Sequence, residues 1–348
     1  MGHLVRISSP RTVAVVEVEN PVPGPGEVLL ETVYSGISAG TELTAYRGTN
    51  PYLASEWDPD RRLFVPGDST MSYPVDGWGY EEVGRVAAVG SASDEDLVGK
   101  LVWGSWGHRS AAVRPTEYAR ARVMPEIDPI MGVFGRIGAI AFNSILDADI
   151  HLGESVVVFG AGVPGQIVAQ LARLNGAHVT VVDPMVARRD LAERLGADAT
   201  LDPTAVDVAA AVRAATDNRG ADVVIEMSGV YQALHEAVRT VGYNSRVVAG
   251  GFFQGPATPL QLGEEFHHNR VAIICSQISG VGVHLQHRWD DLRMSRTVLS
   301  LARDGKLALH DLVSHVVPAT DAADAFDMLD KAPQNTLQVV LDYTGETA

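Results

Sequence analysis

Three glycines at fixed spacing carry the clearest chemistry in this sequence: Gly160-Ala161-Gly162-Val163-Pro164-Gly165. The first permits a tight turn, the second lets a charged ligand lie against bare backbone, and the third lets a helix pack closely on a strand. The motif has a mechanism only between a strand and a helix. It stands there, after the run ESVVVF and before the amphipathic QIVAQLARL. The helix N-terminus would then offer its N–H groups and positive dipole end to a pyrophosphate. Val163 and Pro164 fall in the first turn, where a missing proline N–H costs little. Asp183 ends the next apolar run, about 20 residues on, where an acid holds a ribose diol. A carboxylate there repels a 2′-phosphate, so the pattern favours NAD over NADP, although Arg188 and Arg189 follow closely and pull the other way. Ser228-Gly229 and Gly250-Gly251, just beyond two later strand candidates, complete the expected cofactor-binding set.

Around this loop the texture is that of βαβ units. Short apolar runs alternate with helical periods from about residue 153, which predicts a parallel sheet. The strand candidates are Ser155–Phe159, His178–Val182, Ala199–Leu201, Val223–Glu226, Arg246–Ala249 and Val271–Cys275. Six strands with intervening helices match a doubly wound α/β sheet. The first part of the chain is β-rich instead, with strands expected at Thr12–Val18, Glu27–Tyr34, Glu82–Val89 and Leu101–Val102. After about Gly282 a helix at Ser295–Arg303 and a last strand at Gln338–Asp342 end the chain. The terminal segments are expected to fold together around the inserted sheet, with residues 1–125 and 285–348 in one domain and 126–284 in the other.

Composition bounds the alternatives. At 348 residues, two domains are the natural expectation. The single cysteine, Cys275, excludes an internal disulfide and a four-cysteine zinc site. A net charge of −16 argues against nucleic acid and anionic membranes as partners. No basic-then-apolar leader is expected at the start, and no apolar stretch is expected to reach the ~20 residues of a membrane span, so a cytoplasmic location is expected. The run Arg270–Ser276 reads as an edge strand whose unpaired backbone would be hidden by a two-fold twin, giving a homodimer or a dimer of dimers.

Over nearly its whole length the chain resembles the medium-chain dehydrogenase/reductase superfamily. The nearest likeness is to zinc-type alcohol and polyol dehydrogenases, including a branch similar to bacteriochlorophyllide a dehydrogenase. The resemblance rests on Tyr34-Ser35-Gly36-Ile37-Ser38-Ala39-Gly40-Thr41-Glu42, on Gly79-Tyr80-Glu81-Glu82-Val83-Gly84, and on the glycine loop. It implies a Rossmann domain inserted into a GroES-like catalytic domain. It also implies three zinc ligands, and the sequence departs at all three. Ser38 stands for the cysteine, Tyr80 for the histidine, and Phe134-Gly135-Arg136-Ile137-Gly138 supplies neither cysteine nor carboxylate. No metal is therefore expected.

Hydrogen-bond donors can do part of the metal's work on a reacting oxygen. By resemblance, Thr41 matches a proton-relaying hydroxyl and Tyr80 could donate to a carbonyl. Glu81 could orient a neighbour or accept a proton, and His108 titrates near neutrality. These four are the catalytic candidates. Ser38, Arg288 and Trp289 are the substrate-binding candidates, the last two in a segment that the resemblance places over the nicotinamide end. The histidines at 267, 268, 284 and 287 do not assemble three ligands. The expectation is an NAD-dependent, zinc-independent oxidoreductase of a small secondary alcohol or ketone, preferably a sugar, a cyclitol or another biosynthetic intermediate. Alternatives are a zinc-free enone or quinone reductase, against which Asp183 counts, and a non-catalytic nucleotide-binding protein.

Overall fold

The computed structural model describes residues 1–345. The chain divides into two compact units, Met1–Arg136 with Val313–Ala348, and Ile137–Leu312. The terminal segments do fold together, but the boundaries lie later than the sequence suggested. Residues 285–312, with the helix Asp291–Arg303, belong to the inserted unit. Their apolar face explains it: Met294, Val298 and Leu299 are fully buried, and Val298 packs where a Cβ on Gly138 would clash.

The inserted unit holds a six-stranded parallel sheet in the order Ala199–Leu201, His178–Val182, Ser155–Phe159, Ala221–Glu226, Val241–Ala249, Ala272–Cys275. The strand order reverses beside Ser155–Phe159, the place where doubly wound sheets take their ligand at the carboxyl ends. Val156, Val157 and Val158 are wholly buried because helices cover both faces. That is why the strand reads as a continuous apolar run.

The terminal unit is mainly antiparallel. Glu27–Ile37 pairs with Glu81–Val89, Ala111–Pro115 and Gln338–Asp342. A second sheet joins Gly2–Ser9 to Thr12–Val18 and Val75–Asp76. One core packs Val5, Ile7, Ile37, Leu43, Tyr46, Phe326 and Leu341, and another Val28, Leu30, Val86, Leu97 and Trp106. The register Ser35↔Glu82 and Gly36↔Glu81 sets two glutamates opposite the strand that leads to Ser38. One helical stretch, Pro129–Ala148, does have the length and hydropathy of a membrane span, contrary to expectation; it is 72% buried, as a core helix is.

Candidate active site

The glycine loop of the inserted unit follows Ser155–Phe159 and opens the helix Val163–Leu174. Gly160 has φ 89°, a left-handed conformation that side chains rarely adopt. A Cβ on Gly165 would stand 1.8 Å from the Gly160 carbonyl oxygen, so only glycine lets the helix start there. At Gly162 a Cβ would meet nothing nearer than 4.0 Å. The loop is thus bare at its middle, and no side chain caps the helix that begins with Val163 and Pro164. This is a cradle for an anionic group at a helix N-terminus.

Asp183 ends the next strand and is buried. Its Oδ2 accepts the Ala161 N–H at 2.8 Å and its Oδ1 the Met185 N–H at 2.8 Å. A carboxylate offers about four lone-pair positions, so two remain for ribose hydroxyls. Arg188 Nη1 lies 4.0 Å from Asp183 Oδ2. Arg189 is committed elsewhere, to the Asp183 carbonyl at 2.6 Å and to Asp202 at 3.1 Å.

The other cofactor-set residues are tied together by a side chain the sequence reading passed over. Glu226, fully buried, accepts the Ser228 N–H at 2.8 Å and the Gly229 N–H at 3.1 Å, and its backbone oxygen accepts from Gly250 and Gly251. Burial pushes its carboxyl up to about 7, against the opposing pull of the Ser228 and Gly229 hydrogen bonds. Arg288 is exposed, and its carbonyl accepts from Arg293. Trp289 is sandwiched: its ring lies 4.9 Å from that of Phe142, with the Arg293 guanidinium 4.1 Å from its centroid.

In the terminal unit, three hydroxyls converge from two segments. Ser38 caps the helix Ala39–Arg47, and Thr41 sits in its first turn. Tyr80 leads into the strand Glu81–Val89 after Gly79, whose φ is 135°. Tyr80 Oη lies 2.5 Å from Ser38 Oγ and 3.2 Å from Thr41 Oγ1. Burial, reinforced by the Glu81 charge, pushes the phenol above its ordinary range despite the hydrogen bonds from Ser38 and Thr41. It therefore stays protonated and serves as a donor.

Two catalytic candidates need correction. His108 is 1% exposed, and both ring nitrogens are occupied, Nδ1 by Ser35 Oγ at 2.6 Å and Nε2 by Glu42 Oε2 at 2.6 Å. It cannot touch a substrate. Glu81 is likewise 1% exposed, with neither carboxyl oxygen in a well-formed hydrogen bond. Its side chain turns inward, into room left by Gly36, where a Cβ would be 2.6 Å from Oε2. Burial first, then the neighbouring Glu42 and Glu82, push this carboxyl well above the usual range. Glu42, Glu82 and Ser35 were not expected. The available signal was the pair Glu81-Glu82 in a strand: alternate residues face opposite sides, yet both are buried.

The zinc positions of the family do not fit a metal here. A catalytic zinc takes three N, S or O ligands from imidazole, thiolate or carboxylate. Ser38 and Tyr80 offer a hydroxyl and a protonated phenol already bonded to each other, and Arg136 is a cation with donors only.

The comparisons agree with this architecture. The family model described as zinc-binding dehydrogenase matches residues 164–300. D-guloside 3-dehydrogenase of Shigella flexneri is 29% identical over 345 residues, covering 97% of this chain and 98% of its own. L-threonine 3-dehydrogenase of Pyrococcus abyssi is 27% identical, covering 90% of this chain and 91% of its own. Residues 164–300 thus carry the family match, and over nearly its whole length the chain is similar to zinc-type medium-chain dehydrogenases. Among solved structures of the same fold, one from Sinorhizobium meliloti, bound to NADP, superposes with TM-score 0.79 at 24% identity. It covers 98% of this dehydrogenase and 99% of its own chain. Galactitol-1-phosphate dehydrogenase of Escherichia coli superposes with TM-score 0.77 at 19% identity, with the same coverage of both chains. The chain is an oxidoreductase of the dehydrogenase type.

Proposed function

We propose that this dehydrogenase uses NAD(H), without a metal, to interconvert a secondary alcohol and a ketone on a sugar or polyol. The observation that carries the reading is the hydroxyl cluster: Tyr80 Oη held between Ser38 Oγ at 2.5 Å and Thr41 Oγ1 at 3.2 Å. The nicotinamide, when bound, takes or gives the hydride. The protein's part is to hold the reacting oxygen. In ketone reduction, Tyr80 donates its hydrogen bond to the oxygen as it gains negative charge. Thr41 then relays the proton that completes the alcohol, and Ser38 keeps the phenol aimed. A correctly aimed donor of this kind is worth ~2.7–4 kcal/mol in the transition state.

NAD over NADP is supported by Asp183, whose spare lone pairs suit a ribose diol and whose charge opposes a 2′-phosphate. The sugar or polyol preference is supported by the D-guloside 3-dehydrogenases, which match this chain almost end to end. A cytoplasmic enzyme that pairs its Ala272–Cys275 edge strands across a two-fold axis belongs to the same reading. Light scattering at micromolar concentration should then give at least a dimer.

The deciding experiment assays purified protein with NAD and with NADP on methyl hexosides and polyols, alongside elemental analysis. Turnover with NAD in protein free of stoichiometric zinc is expected. Activity abolished by a chelator and restored by zinc would overturn the metal-free reading.

A further inference from the structure

Behind the hydroxyl cluster lies a group of charges that the reaction above does not use. Glu42, Glu82 and Ser35 are 0% exposed and His108 is 1% exposed. Charges taken this far from water need partners on every side. They have them. Ser35 Oγ donates to Glu82 Oε1 at 3.3 Å, and Glu82 Oε2 accepts the Trp106 N–H at 2.6 Å. A serine has one proton. With that proton on Glu82, Ser35 can only accept from His108 Nδ1–H across their 2.6 Å contact. Glu42 Oε2 takes the other ring proton, from Nε2 at 2.6 Å. With Glu82 and Glu42 ionised, the pattern calls for both ring nitrogens to be protonated. Burial opposes that charge, but the Glu42 contact, aided by Glu82, outweighs it and holds the imidazole above its usual range.

Glu42 faces two ways. Its Oε1 accepts the Ser38 backbone N–H at 2.9 Å, and its own N–H donates to the Ser38 carbonyl at 2.8 Å. It thus reaches back to the N-cap residue of its own helix. Ser38 and Thr41, one turn of that helix, are the residues that hold Tyr80.

We propose that Glu42, anchored from behind by His108, is the positioning residue of the hydroxyl cluster, fixing the Ser38 backbone and hence the aim of the Tyr80 hydroxyl. The inference rests on the metal-free reaction above and adds its supporting shell. His108 meets Glu42 from the helix, Ser35 and Glu82 from paired strands, and the Phe326 ring edge-on at 6.1 Å, with Glu81 and Arg109 as the adjacent charged or titratable neighbours.

Two arms test it. Proton–nitrogen NMR of substrate-free protein should show two strongly deshielded imidazole N–H signals at pH 6.5, assigned by their loss in His108→Asn. Glu42→Gln should leave one, because its amide donates to a neutral ring. A neutral His108 with one N–H in the unmodified protein would overturn the anchor. This arm needs no turnover, so its failure is distinct from failure of the proposed reaction. In kinetics, Glu42→Ala should lower kcat ~10–100-fold, part of the roughly 10²–10³ that loss of a whole aimed donor costs. KM and NADH affinity should stay within about twofold, since the nucleotide loop is in the other unit. Glu42→Gln, which keeps an oxygen for the Ser38 N–H, should recover most of kcat. Glu42→Asp keeps the charge but is a methylene too short for both partners, and should not. If Glu42→Ala fails to fold, the Gln and Asp variants decide alone. Asp outperforming Gln, or equal kcat in both, would sink the proposal.

Discussion

The glycine loop and the hydroxyl cluster are built from different material. The loop is backbone. Gly160, Gly162 and Gly165 act through absent side chains, and six consecutive residues contain the whole device. The cluster is side chain, drawn from Ser38 and Thr41 on one helix turn and from Tyr80 some 40 positions along the chain, then supported by Glu42, His108, Ser35 and Glu82. Backbone devices tolerate almost no change at the glycine and little dependence on neighbours. Side-chain devices depend on a shell that can be retuned. That difference is consistent with a chain whose nucleotide loop keeps the family pattern while all three zinc positions have changed.

Substitutions in the two regions should differ in size of effect. Gly165→Ala should have the largest effect. Its Cβ would collide with the Gly160 carbonyl, so helix and loop must separate, and calorimetry should detect no NADH binding at concentrations that saturate the unmodified protein. Retained affinity would mean that the loop is softer than its geometry implies.

Tyr80→Phe comes next. It removes one donor and leaves the ring, so kcat should fall by about 10²–10³ with NADH affinity unchanged. Thr41→Val should act similarly, and the double variant should lose less than the product of the two, because both groups serve one oxygen. Near-full kcat in Tyr80→Phe would reduce the phenol to packing.

Asp183→Ala should be milder. It removes the carboxylate that opposes a 2′-phosphate while Arg188 stays nearby, so the NAD-over-NADP preference should narrow by about tenfold, roughly the 1.4 kcal/mol of one modest charge contact. NADPH binding tighter than NADH in the unmodified protein would contradict this role.

The smallest effect is on stability against pH. Burial raises Glu82 to about 7, with His108 and the Trp106 N–H pulling the other way. A carboxyl raised on folding contributes stability that is complete below its unfolded value, about 4.3, and lost as pH rises through about 7. His108, also raised, contributes below about 6.5 and loses it higher still. The melting temperature should therefore fall from pH 5 to pH 8. Glu82→Gln should make that fall shallower without removing it, since Glu81 and Glu226 are raised in the same direction. An unchanged slope would show that Glu82 is solvated more than its burial suggests.

The nucleotide unit is legible in residue order alone. A run such as Ser155–Phe159 can be apolar throughout only if both its faces are covered, and the glycine spacing is local enough to survive without knowledge of the fold. Residue type likewise shows Ser38, Tyr80 and Arg136 where the resemblance places zinc ligands. The domain boundary was less legible: helix Asp291–Arg303 shows an amphipathic face but not which unit receives it. Which polar residues are interior emerged from the fold. His108 looks poised in the sequence and is sealed in the fold, whereas Glu42 looks incidental beside Thr41 and is bonded on both sides. Strand pairing over tens of residues sets Ser35 against Glu82, and pairing register is settled by burial of whole sheet faces, not by the residues that end up sharing a proton.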